Sequence, residues 1–72
     1  MGKEYVELHE GAYRVGGTRV SLDSVVYGFQ SGESPECIQQ SFQALTLEQV
    51  YGAIAYYLAN QHTIDQYLIE GE

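Results

Sequence analysis

Y-R-V-G-G-T-R-V-S, Tyr13 to Ser21, divides the chain into two kinds of pattern. Within it Tyr13 and Val15 share one face of an extended segment and Arg14 points to the other, the period of two that a strand imposes. Gly16-Gly17 breaks the segment, and Thr18-Arg19-Val20 reads as a short extended piece beyond the break. Upstream, Tyr5, Val6 and Leu8 stand among Glu4, Glu7 and His9, a partial alternation of β-favouring and polar residues. His9-Glu10-Gly11-Ala12 supplies the turn between the two runs, with Gly11 free to take positive φ. Residues 1–20 therefore read as a β-hairpin arm with a short third strand. An isolated hairpin is marginal in water, so the arm must lie on helices or pair across a dimer axis.

Downstream the period changes to that of a helix. Ser21 caps the first one, and Asp23 in its first turn complements the exposed N–H groups. Leu22, Val25, Val26 and Phe29 recur at helical spacing, and Gly32 stands where a helix ends in a C′ glycine. In G-E-S-P-E, Gly32 to Glu36, Ser34 caps the next helix and Pro35 occupies N1, where its missing N–H costs nothing. Ile38 and Phe42, with Cys37 or Ser41 beside them, give that short helix its buried side. In L-T-L-E-Q-V, Leu45 to Val50, Thr46 and Gln49 form a T-x-x-Q capping box. Leu47, Val50, Tyr51, Ile54, Tyr57 and Leu58 mark the apolar face of the longest helix. Ile64 and Leu68 keep nearly the same phase and no Gly or Pro intervenes, so the helix is expected to continue through Gln61-His62-Thr63. In the other reading Thr63 caps a short final helix. The expected fold is one mainly α domain over residues 1–72, with the hairpin arm followed by a helical core over 21–70. That core has three to four helices and a tight, helix-turn-helix-like link.

At 72 residues such a core is near the lower size limit. Chains this small commonly gain no more than ~3–5 kcal/mol from burial without a staple or partner. Cys37 is the only cysteine, which excludes an internal disulfide, and no zinc-ligand spacing is present. A homodimer or a permanent partner is expected instead. No signal-like segment opens the sequence and no apolar run reaches the ~18 residues of a membrane span. A cytosolic location, with Cys37 reduced and no membrane partner, is the expectation.

The net charge of −7 is unevenly placed. Lys3, Arg14 and Arg19 are the only cations; after Arg19 come Asp23, Glu33, Glu36, Glu48, Asp65, Glu70 and Glu72 with no Lys or Arg among them. Nucleic-acid binding depends on neutralising phosphates, which this region does not offer. In a helix-turn-helix the second helix reads base edges, yet Leu47 to Ala59 carries Glu48, Gln49, Tyr51, Tyr56 and Tyr57 and no cation. An acidic body with a small basic corner suits a basic protein partner better.

Enzyme chemistry finds no constellation here. Nucleophilic catalysis needs nucleophile, base and orienting group together, and the one thiol, Cys37, reads as a buried structural residue. His9 and His62 have no local spacing with Cys37 that would hold a metal, and the acids fall at caps, first turns and the C-terminal end. Gly16-Gly17-Thr18 lacks the spacing and the lysine of a phosphate loop. No cofactor is expected. Seven tyrosines and two phenylalanines are more than so small a core hides. Tyr27, Tyr51, Tyr56, Tyr57 and Tyr67 spread around the helices, and exposed tyrosine is a common interface anchor.

Gly17-Thr18-Arg19, Ser34-Pro35-Glu36 and Thr46-x-Glu48-x-Val50-x-x-Ala53, in this order and with these short gaps, resemble the small bacterial family called domain of unknown function 433. The likeness runs from about Tyr13 to Leu68. It implies a trihelical, homeodomain-like or winged-helix-like core with β-structure at the N-terminus. Some members of the family look like antitoxins paired with a PIN-like ribonuclease toxin, whose clustered carboxylates hold divalent metal. The resemblance thus implies a protein-binding role in which Arg19 neutralises that cluster; the basic corner and the tyrosine surplus add Arg14, Tyr51, Tyr56 and Tyr57 as the residues expected to meet the partner. A structural role for Arg19 is the competing account: its guanidinium bonds helix-end carbonyls or Asp23 and fixes strand to helix. The remaining alternatives are a DNA-binding regulator on the same scaffold and a homodimeric structural module. Antitoxin-like relatives with an added DNA-binding segment would exceed the length available here.

Overall fold

The computed structural model describes residues 5–70. Lys3, Glu4 and Glu72, which enter the charge pattern above, lie outside the described residues. β1 (Val6–His9) and β2 (Ala12–Val15) form the antiparallel hairpin, pairing Val6 with Val15, Glu7 with Arg14, Leu8 with Tyr13 and His9 with Ala12. The turn takes positive φ at both central residues, 53° at Glu10 and 82° at Gly11. That is the primed geometry whose twist matches the strands it joins.

Gly16 N–H donates to Tyr5 O at 2.7 Å, so the hydrogen-bonded pairs of the ladder are Tyr5–Gly16, Glu7–Arg14 and His9–Ala12. The main-chain groups of Val6 and Leu8 consequently point away from β2, along the free edge of β1. On the far side of β2, Val15 N–H donates to Val20 O at 2.9 Å, and Tyr13 N–H reaches the Tyr67 hydroxyl at 3.4 Å. The expected third strand is reduced to one bridge between Arg14 and Ser21. Its cause is local: Thr18 Oγ1 donates to Val15 O at 2.8 Å and accepts from Val20 N–H at 3.2 Å. These side-chain bonds hold residues 15–20 in a turn that competes with strand pairing.

α1 (Leu22–Gln30) begins at Ser21, which has the extended cap conformation, but its hydroxyl pairs with Ser24 Oγ at 3.1 Å rather than with a main-chain N–H. Its end is a Schellman motif. Gly32 sits at φ 90°, its N–H donates to Phe29 O at 3.0 Å, and Glu33 N–H donates to Gly28 O at 3.1 Å. α2 (Pro35–Ser41) has Ser34 accepting from Cys37 N–H at 3.2 Å and Pro35 in its first turn. α3 (Leu47–Ala59) opens on the full capping box: Thr46 N–H donates to Gln49 Oε1 at 2.7 Å, and Gln49 N–H to Thr46 Oγ1 at 3.1 Å.

α4 (Gln61–Glu70) is a separate helix, so the expected continuation of α3 does not occur. The break falls at Asn60 (φ −127°, ψ 33°), not at Thr63. Asn60 Nδ2 donates to Tyr56 O at 3.0 Å, while Asn60 O accepts the Ile64 N–H at 3.0 Å, so one residue ends α3 and starts α4. An asparagine side chain that bonds the carbonyl four residues before it is the competitor to helix that the absence of Gly and Pro does not reveal.

One apolar cluster joins all of these elements: Val6 and Val15 from the hairpin, Leu22, Val25 and Val26 from α1, Ile38, Leu45, Val50, Ala53, Ile54 and Tyr57, and Ile64 and Leu68 from α4. α3 packs against α1, α2, α4 and β1. Leu22, Ile38, Leu45 and Ile64 are fully buried, each contributing roughly 1.5–3 kcal/mol. Three expectations are corrected by this packing. Leu47, Tyr51 and Leu58 are 40–52% exposed, because α3 turns Val50, Ala53, Ile54 and Tyr57 inward instead. Cys37 is exposed, one position from the inward-facing Ile38, and is not a core residue. Tyr57 is only 2% exposed, so it fills the core and offers no surface to a partner.

Candidate functional site

The motif residues divide by what they touch. Gly17 holds φ 77°, which favours glycine, and its N–H points at Glu7 Oε1 at 3.4 Å. Thr18 ties down the turn through the two hydrogen bonds already described. Ser34 and Thr46 are caps and Pro35 is the N1 residue. Glu36 accepts from the Tyr51 hydroxyl at 2.7 Å, linking α2 to α3. Glu48 accepts from the Tyr5 hydroxyl, linking α3 to the start of the hairpin. Gln49, beside it, also donates to Gly16 O at 3.3 Å.

Arg19 alone of these residues has no internal explanation. It is exposed and its guanidinium bonds no described residue, so the expected anchoring to Asp23 or to helix-end carbonyls is absent. Asp23 keeps one carboxylate oxygen, Oδ1, buried without a hydrogen-bond partner in the first turn of α1. Arg14, half-buried on β2 opposite Glu7, likewise makes no side-chain bond or ion pair with a described residue. The two arginines flank the Val15–Thr18 turn, and that turn is fixed at its base by Gln49 and by Thr18. The result is a cationic corner on an acidic chain.

The six tyrosines besides Tyr5 separate into three groups. Tyr57 donates to Asp65 Oδ1 at 2.8 Å and accepts from Gln30 Nε2 at 3.1 Å, a core tie between α1, α3 and α4. Tyr13 meets Tyr67 edge-on with centroids 4.8 Å apart, and Tyr56 lies 6.3 Å from Tyr13, so this trio lays the hairpin on α3 and α4. Tyr27 and Tyr51 reach the surface. The Tyr51 hydrogen bond holds the Glu36 carboxyl below its ordinary range, helped by Glu36's own backbone N–H. The same bond raises Tyr51, with desolvation and the Glu36 charge adding to it. The outward face of α3 presents Leu47, Glu48, Tyr51 and Leu58, and no Lys or Arg.

A surface groove of about 700 Å³ runs beside β1, lined by Tyr5, Val6, Glu7 and Leu8 on one side and by Gly52, Ala55 and Tyr56 of α3 on the other. It was not legible from sequence, since its walls are far apart in the chain. Gly52 is its one readable signal, a glycine inside a helix where an added Cβ would fall 2.2 Å from Tyr5 Cγ and force the ring or the chain to shift. Among the described residues no three His, Cys, Asp or Glu side chains converge as metal ligands, and no helix is long and apolar enough to cross a membrane.

Fold and site together define a small, mainly helical domain with a hairpin arm whose motif residues are, Arg19 apart, absorbed in turns, caps and inter-element ties. Residues 6–57 match the model of the family described as protein of unknown function (DUF433), and the chain belongs to that family. The match starts earlier than the motif resemblance, at Val6 in β1, and stops at Tyr57, before α4. No curated protein and no solved structure matches the chain.

Proposed function

We propose that this chain is a small, non-catalytic, cytosolic binding module of antitoxin type, which as a homodimer binds and neutralises a PIN-like ribonuclease. The observation that carries the reading is Arg19: an exposed cation on the motif of its family, presented by a pinned turn and bonded to nothing described within the chain. A guanidinium so placed is free to meet a carboxylate cluster bidentately. Arg14 adds a second cation to the same corner, and the half-buried Tyr56 and exposed Tyr51 supply contact area. A DNA-binding role draws less support, because the outward face of α3 is apolar and acidic where phosphates require cations.

The test begins with capture of the tagged chain from its native host and identification of bound proteins by mass spectrometry. If a stoichiometric small ribonuclease is found, inhibition of its RNA cleavage is measured for the parent chain, Arg19→Ala and Arg19→Lys. Loss of inhibition by at least about tenfold in Arg19→Ala is expected, the effect of removing a charge-assisted contact. An Arg19→Ala chain that folds normally and inhibits undiminished refutes the role given to Arg19, and retrieval of the chain alone refutes the ribonuclease.

A further inference from the structure

The groove beside β1 has walls of different kinds. Strand side chains alternate between faces, so residues 5 to 8 line one groove in succession only along the edge of the strand. That edge carries the outward N–H and C=O groups of Val6 and Leu8, which no described residue pairs. The Leu8 side chain beside them is 62% exposed. Facing the edge, α3 contributes Gly52, covered by the Tyr5 ring, and beyond it Ala55, an exposed small residue that keeps the floor shallow beside Leu8. A main-chain edge on one side and a shallow apolar floor on the other are the two requirements for adding a strand.

We propose that this groove binds an extended segment of another protein by strand addition to β1, and that the segment alternates apolar residues with Lys or Arg. The charge of the walls selects it. Glu7 lies in the groove, Glu10 is exposed at the hairpin tip, and among the described residues no Lys or Arg lines the gap. A cation placed across from Glu7 gains from the pairing and an acid there loses. The chain's charge of −7 draws cationic segments toward it as a whole. A second copy fits poorly. Using the Val6 and Leu8 groups of two antiparallel β1 edges evenly sets Glu7 against Glu7, and centring on Leu8 pairs Val6 with Glu10, already in the turn. The inference does not depend on the partner being a ribonuclease.

The test uses the full, isotope-labelled chain and two capped peptides, one alternating lysine with valine and one alternating glutamate with valine. With the lysine peptide, the amide signals of Val6 and Leu8 are expected to shift and to gain protection from solvent exchange; with the glutamate peptide they are not. Leu8→Pro removes an N–H that the hairpin does not use and should weaken binding by about tenfold. Because that variant could misfold, Ala55→Arg at an exposed helix position is tested beside it, and the cation it places in the groove should weaken binding to a similar degree. Four results would overturn the proposal: no shift at Val6 and Leu8, equal binding of the glutamate peptide, affinity unchanged by Ala55→Arg, or a sedimentation mass of a dimer with the β1 edge already protected.

Discussion

Replacing Gly52 by alanine should destabilise this protein, although the same change in most helices does the opposite. Gly52 lies inside α3, where alanine is favoured over glycine by about 1 kcal/mol. A Cβ there would fall 2.2 Å from Tyr5 Cγ, 2.4 Å from Cδ2 and 2.6 Å from Cδ1. Cγ is the ring's root, so a rotation of the ring about its axis gives no relief. Either the chain at Tyr5 moves away from α3 or the side chain leaves its rotamer, and both break the bond from the Tyr5 hydroxyl to Glu48. Forced overpacking costs about 1–3 kcal/mol, and the ring's lost contact and hydrogen bond add about 1 kcal/mol more. Subtracting the propensity gain leaves a net loss of about 1–3 kcal/mol, or a fall in Tm of roughly 4–24 °C for a domain of this size. Thermal and urea unfolding followed by circular dichroism measure it. The decisive comparison is with Tyr5→Ala: in that background the obstruction is gone and Gly52→Ala should stabilise by about 1 kcal/mol. A stabilising Gly52→Ala in the parent chain refutes the packing of Tyr5 on α3.

Gly32→Ala forces alanine to φ 90° in the Schellman motif and should cost about 1 kcal/mol or more in urea unfolding. Cys37 is exposed, so an aromatic disulfide reagent should titrate it without denaturant, and Cys37→Ser should change stability by less than about 0.5 kcal/mol. Glu36 is lowered in the folded chain, so its contribution is present above the ordinary carboxylate value of 4.5 and is lost as pH falls through the lowered one. Tyr51 is raised, so its contribution is present below the ordinary value of 10.0 and is lost as pH rises through the raised one. Tyr51→Phe should move the Glu36 titration, followed by carbon-13 NMR, back up. Thr18→Ala should cost about 1–2 kcal/mol through two lost hydrogen bonds, whereas Arg19→Ala should stay within about 0.5 kcal/mol.

What could be read without the structure is what local chemistry decides. Ser34, Pro35, Thr46, Gln49 and Gly32 each act within a few residues of themselves, and each does in the fold what its position announces. The buried face of α3 is narrower than its sequence suggests: Val50, Ile54 and Tyr57 face inward as expected, whereas Leu47, Tyr51 and Leu58 do not, because the sequence holds apolar residues on more than one side. Leu47, Tyr51 and Leu58 compose as plausible a stripe as Val50, Ala53, Ile54 and Tyr57, and only the positions of α1, α2 and the hairpin choose between them. Cys37 shows the same limit at single-residue scale, since Ile38 beside it takes the buried place. The groove joins Tyr5–Leu8 to Gly52–Tyr56, a juxtaposition set by tertiary packing alone. Of the residues expected to meet a partner, Tyr57 is removed by burial, whereas Arg14, Arg19, Tyr51 and Tyr56 keep some surface.

The motif Gly17-Thr18-Arg19 is the place where structure separates what sequence presents as one unit. Gly17 is required by a positive φ, and Thr18 by a carbonyl and an N–H that would otherwise lack its hydroxyl. Both requirements end within the turn, and neither involves the next side chain. An arginine has large rotamer freedom, and nothing described in the chain orders Arg19, so folding gains little from it. The turn is nonetheless held from three sides: by the ladder through Gly16 and Tyr5, by Thr18, and by Gln49, itself fixed in the cap of α3. A scaffold so constrained restricts where the Cα of Arg19 stands while leaving its guanidinium free. For the carboxylate contact proposed above, backbone ordering would then cost little and no described salt bridge would have to break, while the side chain's own rotamer freedom would still be lost. Folding among the described residues therefore does not call on the Arg19 guanidinium, and Arg19→Ala is a test of binding rather than of stability.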